Sequence, residues 1–269
     1  MKTLIKFILR KVGLLKWVRK LIYKTKYRIL IRQLDDPNIF RLSYEDIEVS
    51  FSTRDPFSAS FFAYYLKDKI YEEEALKIIL KSVKENGIFA DVGANIGYFT
   101  CLAGAKAKQV FAFELGDENC RILRENIGLN KLENVVVEHC AVSDFTGTLY
   151  HTDSAVGNAV LKIIENNDLN NPDIIPIQSL SLDEYFAAIN VVPTIVKIDV
   201  EGAEMKVLNG MKRLLKDNLI LLIEVHPKDL LQFGSSEQEV KQLLTDSGYS
   251  WNIVNNGDKK NNLLFAQRI

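Results

Sequence analysis

The sequence predicts an α/β protein organised on a doubly wound, mostly parallel sheet, and three observations carry that reading. Apolar runs of strand length, near 87–92, 109–114, 135–139, 194–199 and 219–226, alternate with segments of helical periodicity. Several of those runs end on an acid or carry one near their end, at Asp91, Glu114, Asp199 and Glu224. After Asp91 come Gly93 and Gly97, four residues apart, a spacing that lets a strand turn directly into a helix.

Taken in order, the first element is a basic segment. Residues 1–34 carry 11 Lys/Arg and no acid, leaving 23 basic against 35 acidic side chains elsewhere, although the formal net charge is only −1. Leu4, Phe7, Ile8, Leu14, Leu15 and Val18 recur at spacings near three and four. The segment therefore reads as a basic amphipathic helix suited to an anionic membrane surface, or to packing on a partner or the catalytic domain. Lysines interrupt the apolar core that a signal peptide requires, and no run approaches the roughly 20 residues of a membrane span. Cys101, Cys120 and Cys140 form no paired motif and are odd in number. That argues against a disulfide frame and fits a reducing cytoplasm, with the basic segment at the inner membrane face. At 47% hydrophobic content, 269 residues hold one α/β domain with extensions.

Residues 35–80 are expected to form a cap region. Positions 47–52 alternate like a strand, 53–57 read as a turn, and a helix runs from about Tyr71 through Leu80. Glu73 suits the dipole of that helix, while Tyr71 and Glu72 are candidates for covering a cofactor pocket. The catalytic domain is expected over 81–269. Its strands fall at 87–92, 109–114 and 135–139, separated by helices at 98–107 and 117–129. Ala141 and Val142 follow the third strand, where the chain would pass an adenine. Positions 147–151 and 174–178 read as accessory strands. Tyr150 and Asn158 lie in a stretch where loops over the sheet edge usually carry substrate choice. Lys197 sits amid apolar neighbours and requires a partner among Asp199, Glu201 and Glu224, because an unpaired buried charge costs about several kcal/mol. Glu204 opens the next helix, where the dipole accounts for it. A fully buried strand at 219–226, a helix at 236–247 and a hairpin of 251–254 with 263–266 close the fold.

Charge and missing glycines bear on the ligand. A dinucleotide site wants glycine at the first, third and sixth positions of the turn, so that main chain reaches a pyrophosphate; here those are Gly93, Asn95 and Tyr98. Asp91 at the strand mouth repels phosphate and attracts a cation, such as the ammonium and sulfonium groups of S-adenosyl-L-methionine. Glu114 ends the next strand, where one carboxylate takes both ribose hydroxyls. A buried ion pair would explain Asp91 alone and a solvated loop would explain Glu114 alone. Neither explains two acids at successive strand ends around one glycine turn.

The stretches Asp91-Val92-Gly93-Ala94-Asn95-Ile96-Gly97, Ile198-Asp199-Val200-Glu201-Gly202-Ala203-Glu204 and Glu224-Val225-His226 together resemble the FkbM-type S-adenosylmethionine-dependent methyltransferases, over about residues 51–265. The resemblance implies a class I methyltransferase fold, Rossmann-like, with a seven-stranded sheet whose last strand is antiparallel. It implies methyl transfer to oxygen, commonly a hydroxyl of a sugar, glycolipid or small metabolite. By matching positions, Asp91, Gly93, Asn95 and Gly97 hold the methionine part of the cofactor, Glu114 the ribose, and Asp199 and Glu201 face the acceptor.

Removing the acceptor's proton calls for a base. His226 is the first candidate, since its unperturbed pKa lies near neutrality, followed by Asp199 and Glu201. Alternatively, His226 merely ends its strand before Pro227. A metal variant places Mg²⁺ on Asp199, Glu224 and His226, with the Lys197 charge competing for the same acids. Two other classes of function stay open: an NAD-dependent oxidoreductase, which the lost glycines disfavour, and a non-catalytic, membrane-attached S-adenosylmethionine-binding module. The expected partner is a small molecule or glycan. Beyond residue 34 no interleaving of aromatic and basic residues suggests nucleic acid.

Overall fold

The computed structural model describes residues 36–65, 70–84, 86–152, 174–254 and 261–269, so the expected basic helix of residues 1–34 and Asn158 lie outside the described residues. Two compact units meet in sequence between Tyr71 and Glu72.

In the first unit, β1 (Ile39–Tyr44) and β2 (Ile47–Ser52) form an antiparallel hairpin in which Tyr44 pairs Ile47, followed by the helix α1 (Pro56–Tyr65). The turn expected at 53–57 is instead a helix start. The Asp55 carboxylate accepts the N–H groups of Phe57 at 2.9 Å and Ser58 at 2.8 Å, and Pro56 at the first helical position gives up no needed donor. Phe62 stacks between Phe40 and Phe51, with centroids 4.7 and 4.8 Å away. Tyr71 packs edge-on against Phe61.

The second unit opens with α2 (Glu73–Ser82), which buries Ala75, Leu76, Ile79 and Leu80 on one stripe. Then come β3 (Ile88–Val92), α3 (Tyr98–Gly104), β4 (Gln109–Glu114), α4 (Asp117–Leu129) and β5 (Val135–His139). A small three-stranded sheet follows, from β6 (Ala141–Val142), β7 (Gly147–Thr152) and β8 (Ile174–Leu180), where accessory strands were expected. The chain continues through α5 (Leu182–Ala188), β9 (Ile195–Ile198), α6 (Glu204–Asn209), β10 (Ile220–Val225), α7 (Pro227–Leu230), α8 (Glu237–Asp246), β11 (Tyr249–Val254) and β12 (Asn262–Arg268).

The main sheet has seven strands in the order β11-β12-β10-β9-β3-β4-β5, and β12 runs antiparallel to both neighbours. This is the doubly wound arrangement expected. Leu221, Leu222, Ile223 and Val225 of β10 are fully buried, because a central strand between β9 and β12 exposes neither face. A capping box starts α8, with the Ser236 and Glu239 side chains each bonding the other's backbone N–H. After β5 the chain returns to the opposite side of β3, so the strand order reverses between β3 and β9. Ligands of such sheets bind outside the carboxyl ends at that reversal.

Candidate functional site

The glycine turn shapes the crevice. Gly93 and Ala94 donate to the Phe113 carbonyl at 2.9 and 3.0 Å, holding the end of β3 against β4. Gly93 has φ +85°, and a Cβ there would lie 1.9 Å from the Asp199 carbonyl oxygen, so only glycine lets β3 and β9 finish this close together. Gly97, at φ +86°, leaves room for Leu123 in the same way. Between them Asn95 takes φ +52° and donates its N–H to Glu114 Oε2 at 2.7 Å. The other oxygen, Oε1, accepts the Gly116 N–H at 2.8 Å and Asn119 Nδ2 at 3.1 Å. Burial raises the Glu114 pKa, and these three donors oppose it.

The cleft beside this turn measures about 800 Å³ including its open mouth. Of the residues singled out from the sequence, Gly93, Asn95, Glu114, Ala141, Val142, Asp199 and Glu201 line it. Asn119, Ser143 and Lys206 line it too and were not anticipated. Asn119 had a signal: it shares the buried stripe of α4 with Ile122, Leu123 and Asn126, and a polar group on such a stripe needs a reason.

Asp91 lies below the cleft, 1% exposed, with Oδ2 accepting from Thr100 Oγ1 at 2.6 Å. Burial pushes its pKa up, and the Lys197 charge on the adjoining strand pulls it down. Three acceptor atoms around the crevice are buried without a hydrogen-bond partner, namely Asp91 Oδ1, Asn95 Oδ1 and Asn119 Oδ1. Buried acceptors are normally satisfied, so donors on a ligand in the crevice would supply partners these atoms lack. A group carrying an ammonium and hydroxyls fits them. Glu72 is 9% exposed, and its charge helps hold Lys197 protonated. Tyr71 belongs to the first unit.

Beside the turn stands an acid-rich cluster built on the ends of β9 and β10. Lys197, 2% exposed, donates to Asp199 Oδ2 at 2.9 Å and lies 5.0 Å from the centroid of the Phe99 ring. His226 Nδ1 donates to Glu204 Oε1 at 2.7 Å. Its Nε2 faces Glu201 Oε2 at 3.6 Å, Asp199 Oδ1 at 3.8 Å and Glu224 Oε1 at 3.9 Å. Burial pulls the imidazole pKa down, but the Glu204 bond and the charges of Asp199 and Glu201 outweigh it and lift it to about 9. The upward shift weighs against the expected role of His226 as a base of near-neutral pKa. Glu204 is also more than a dipole partner, for it is fully buried and Oε1 accepts the Gly202 N–H as well. Glu201 adopts φ +50°, and its side chain is 46% exposed at the cleft. Glu224 is buried and accepts from Asn261.

Two further expectations can be placed. His139 Nε2 lies 2.9 Å from the Leu115 carbonyl, a satisfied strand-end histidine. Tyr150 sits on β7 opposite Pro176 and does not line the cleft. Among the described residues, no helix is long and apolar enough to cross a membrane.

The sequence model of the methyltransferase FkbM domain matches residues 91–251. Hexuronic acid methyltransferase AglP of Haloferax volcanii is 28% identical over 191 residues, covering 70% of this chain and 74% of that protein. The solved structure of methyltransferase FkbM from Methylobacillus flagellatus superposes with a TM-score of 0.52 at 17% identity, over 90% of this chain and 58% of that one. That likeness, together with the sheet order, establishes a class I Rossmann-like methyltransferase fold.

Proposed function

The chain belongs to the methyltransferase FkbM family, and from that premise we propose that it is an S-adenosyl-L-methionine-dependent O-methyltransferase acting on a sugar hydroxyl, free or within a glycan or glycolipid. The observation that carries this reading is the pair of orphaned acceptors Asn95 Oδ1 and Asn119 Oδ1 on residues lining the cleft at the strand-order reversal, with Asp91 Oδ1 orphaned on the strand that leads into it. A sugar acceptor is supported by the relative that methylates a hexuronic acid.

Asp91 and Asn95 would take the ammonium end of the methyl donor. Glu114 needs a refinement. A carboxylate offers about four lone-pair sites, and three N–H donors already occupy Glu114. One ribose hydroxyl fits there, and the second falls to Asn119 Oδ1. When bound, S-adenosyl-L-methionine supplies an electrophilic methyl group whose bonding electrons return to sulfur. The chain contributes alignment, which accounts for much of the catalysis in such a displacement, and a place for the acceptor's proton. Asp199 is tied to Lys197 and Glu204 is sealed, so Glu201 Oε2, the cleft-facing carboxylate, receives it. His226 holds the surrounding acids in place.

Calorimetry with S-adenosylhomocysteine tests the crevice. Wild type binds, NAD does not, and Glu114→Gln loses about tenfold or more in affinity, since an amide presents a donor where three donors already converge. Labelled methyl donor added to fractionated extract tests the acceptor. Label should enter carbohydrate or glycolipid; label chiefly in protein or RNA refutes the sugar assignment, and cofactor binding without turnover on any fraction would mark a non-catalytic module.

A further inference from the structure

Beside the methyl-donor crevice lies a second convergence of ligating atoms, and we infer that Asp199, Glu224 and His226 bind a divalent first-row transition-metal ion. One ligand atom from each residue lies within 4.8 Å of the others. The His226 ring is 3% exposed, and the Nδ1 bond to Glu204 fixes its orientation. Nε2 is thereby aimed at Asp199 Oδ1, 3.8 Å away, and Glu224 Oε1, 3.9 Å away, beyond the reach of an N–H···O hydrogen bond. Donor atoms sharing an ion at about 2.1 Å stand roughly 3.0 to 3.4 Å apart. An inward movement of about half an ångström would close the site.

The supporting contacts point the same way. His226 and Asp199 have their far sides held, by Glu204 on Nδ1 and by Lys197 on Oδ2, while Asn261 donates to Glu224 Oε1, the oxygen that faces the ring. A carboxylate on the second ring nitrogen is the usual outer support of a metal-binding histidine. Lys197 takes Asp199 Oδ2 and leaves Oδ1 for the ion, so the lysine charge does not deny the site its acid. An imidazole in the set favours a transition ion such as Zn²⁺ over the Mg²⁺ weighed as an alternative from the sequence, and Mn²⁺, which stands above Mg²⁺ for a nitrogen ligand, serves as the paramagnetic probe.

The test reads binding rather than turnover. The full chain, stripped with EDTA, is titrated with Mn²⁺ at about pH 8 while the electron paramagnetic resonance signal of free Mn²⁺ is followed. One ion per chain should bind. Asp199→Asn and Glu224→Gln should each weaken it about tenfold or more, and Glu204→Gln by about tenfold through the ring it orients. An excess of Mg²⁺ should not displace it. Should a variant fail to fold by circular dichroism, the other two decide. Folded wild type that leaves the Mn²⁺ signal unchanged, retained affinity in both ligand variants, or ready displacement by Mg²⁺ overturns the inference. S-adenosylhomocysteine affinity measured on the same samples reports the crevice separately.

Discussion

Lys197→Met isolates the charge on which both halves of the site lean. Methionine matches the length of the lysine stem and removes only the ammonium. Wild-type Lys197 is 2% exposed and lies 2.9 Å from Asp199 Oδ2, with Asp91 its pairing neighbour across β3. At an effective dielectric constant near 20 that separation corresponds to about 6 kcal/mol of attraction, most of it offset by desolvation. Removing one partner of a buried pair costs about 3 to 5 kcal/mol because the other is left uncompensated. The Asp199 side chain is 22% exposed and can rehydrate, which favours the lower end. For a unit of this size about 3 kcal/mol lowers Tm by roughly 6 to 12 °C, read by circular dichroism. The pH dependence is also fixed. Burial raises the Asp91 pKa and Lys197 opposes it, so losing the lysine raises it further. A carboxyl whose folded pKa exceeds its unfolded value stabilises the fold increasingly as pH falls. The deficit should therefore shrink between about pH 8 and pH 5. A variant melting within about 2 °C of wild type at the higher pH, or a deficit that grows on acidification, refutes the role given to Lys197.

Two other outcomes follow from local geometry. Gly93→Ala should lose both stability and S-adenosylhomocysteine affinity, since the new Cβ would stand 1.9 Å from the Asp199 carbonyl and φ +85° adds about 1 to 2 kcal/mol of backbone strain; unchanged melting and binding would show that the β3 and β9 ends are not packed this way. The three cysteines are buried, and burial first, then nearby acids, pushes Cys120 and Cys140 up to about 12; native protein should thus be slow toward a disulfide reagent at about pH 8 and release three thiols only on denaturation, whereas a fast-reacting thiol would contradict the packing.

The central strands of the sheet are legible in the sequence because β3, β4, β9 and β10 are buried on both faces and so read as apolar runs, with the buried acids Asp91, Glu114 and Glu224 near the ends of three of them. The first unit is less legible. Its hairpin is short: β1 alternates exposed Arg41 and Ser43 with Phe40, Leu42 and Tyr44, but over only six residues, of which Phe40 alone is buried. The start of α1 did carry a signal, Asp55 before Pro56, but the same pair also opens turns, and the backbone bonds that decide between them are visible only in the fold.

The candidate site divides along a similar line. Residues whose role depends on their own strand or turn, such as Gly93, Asn95 and Glu114, can be placed from spacing alone. The protonation of His226 cannot, because it depends on Asp199, Glu201 and Glu204, which a loop and a helix bring back to the end of β10 from more than twenty positions earlier. An isolated histidine near neutrality looks like a base; the same ring inside a circle of carboxylates is harder to deprotonate, and those acids are further groups able to accept a proton or to hold a metal together with it. The chemistry at this edge therefore resides in the ensemble rather than in the residue that first draws the eye. Exchanging His226 for glutamine should disturb the affinity for Mn²⁺ and the orientation of Glu201 while leaving the Glu114 end of the crevice, anchored by its own three N–H donors, able to bind S-adenosylhomocysteine.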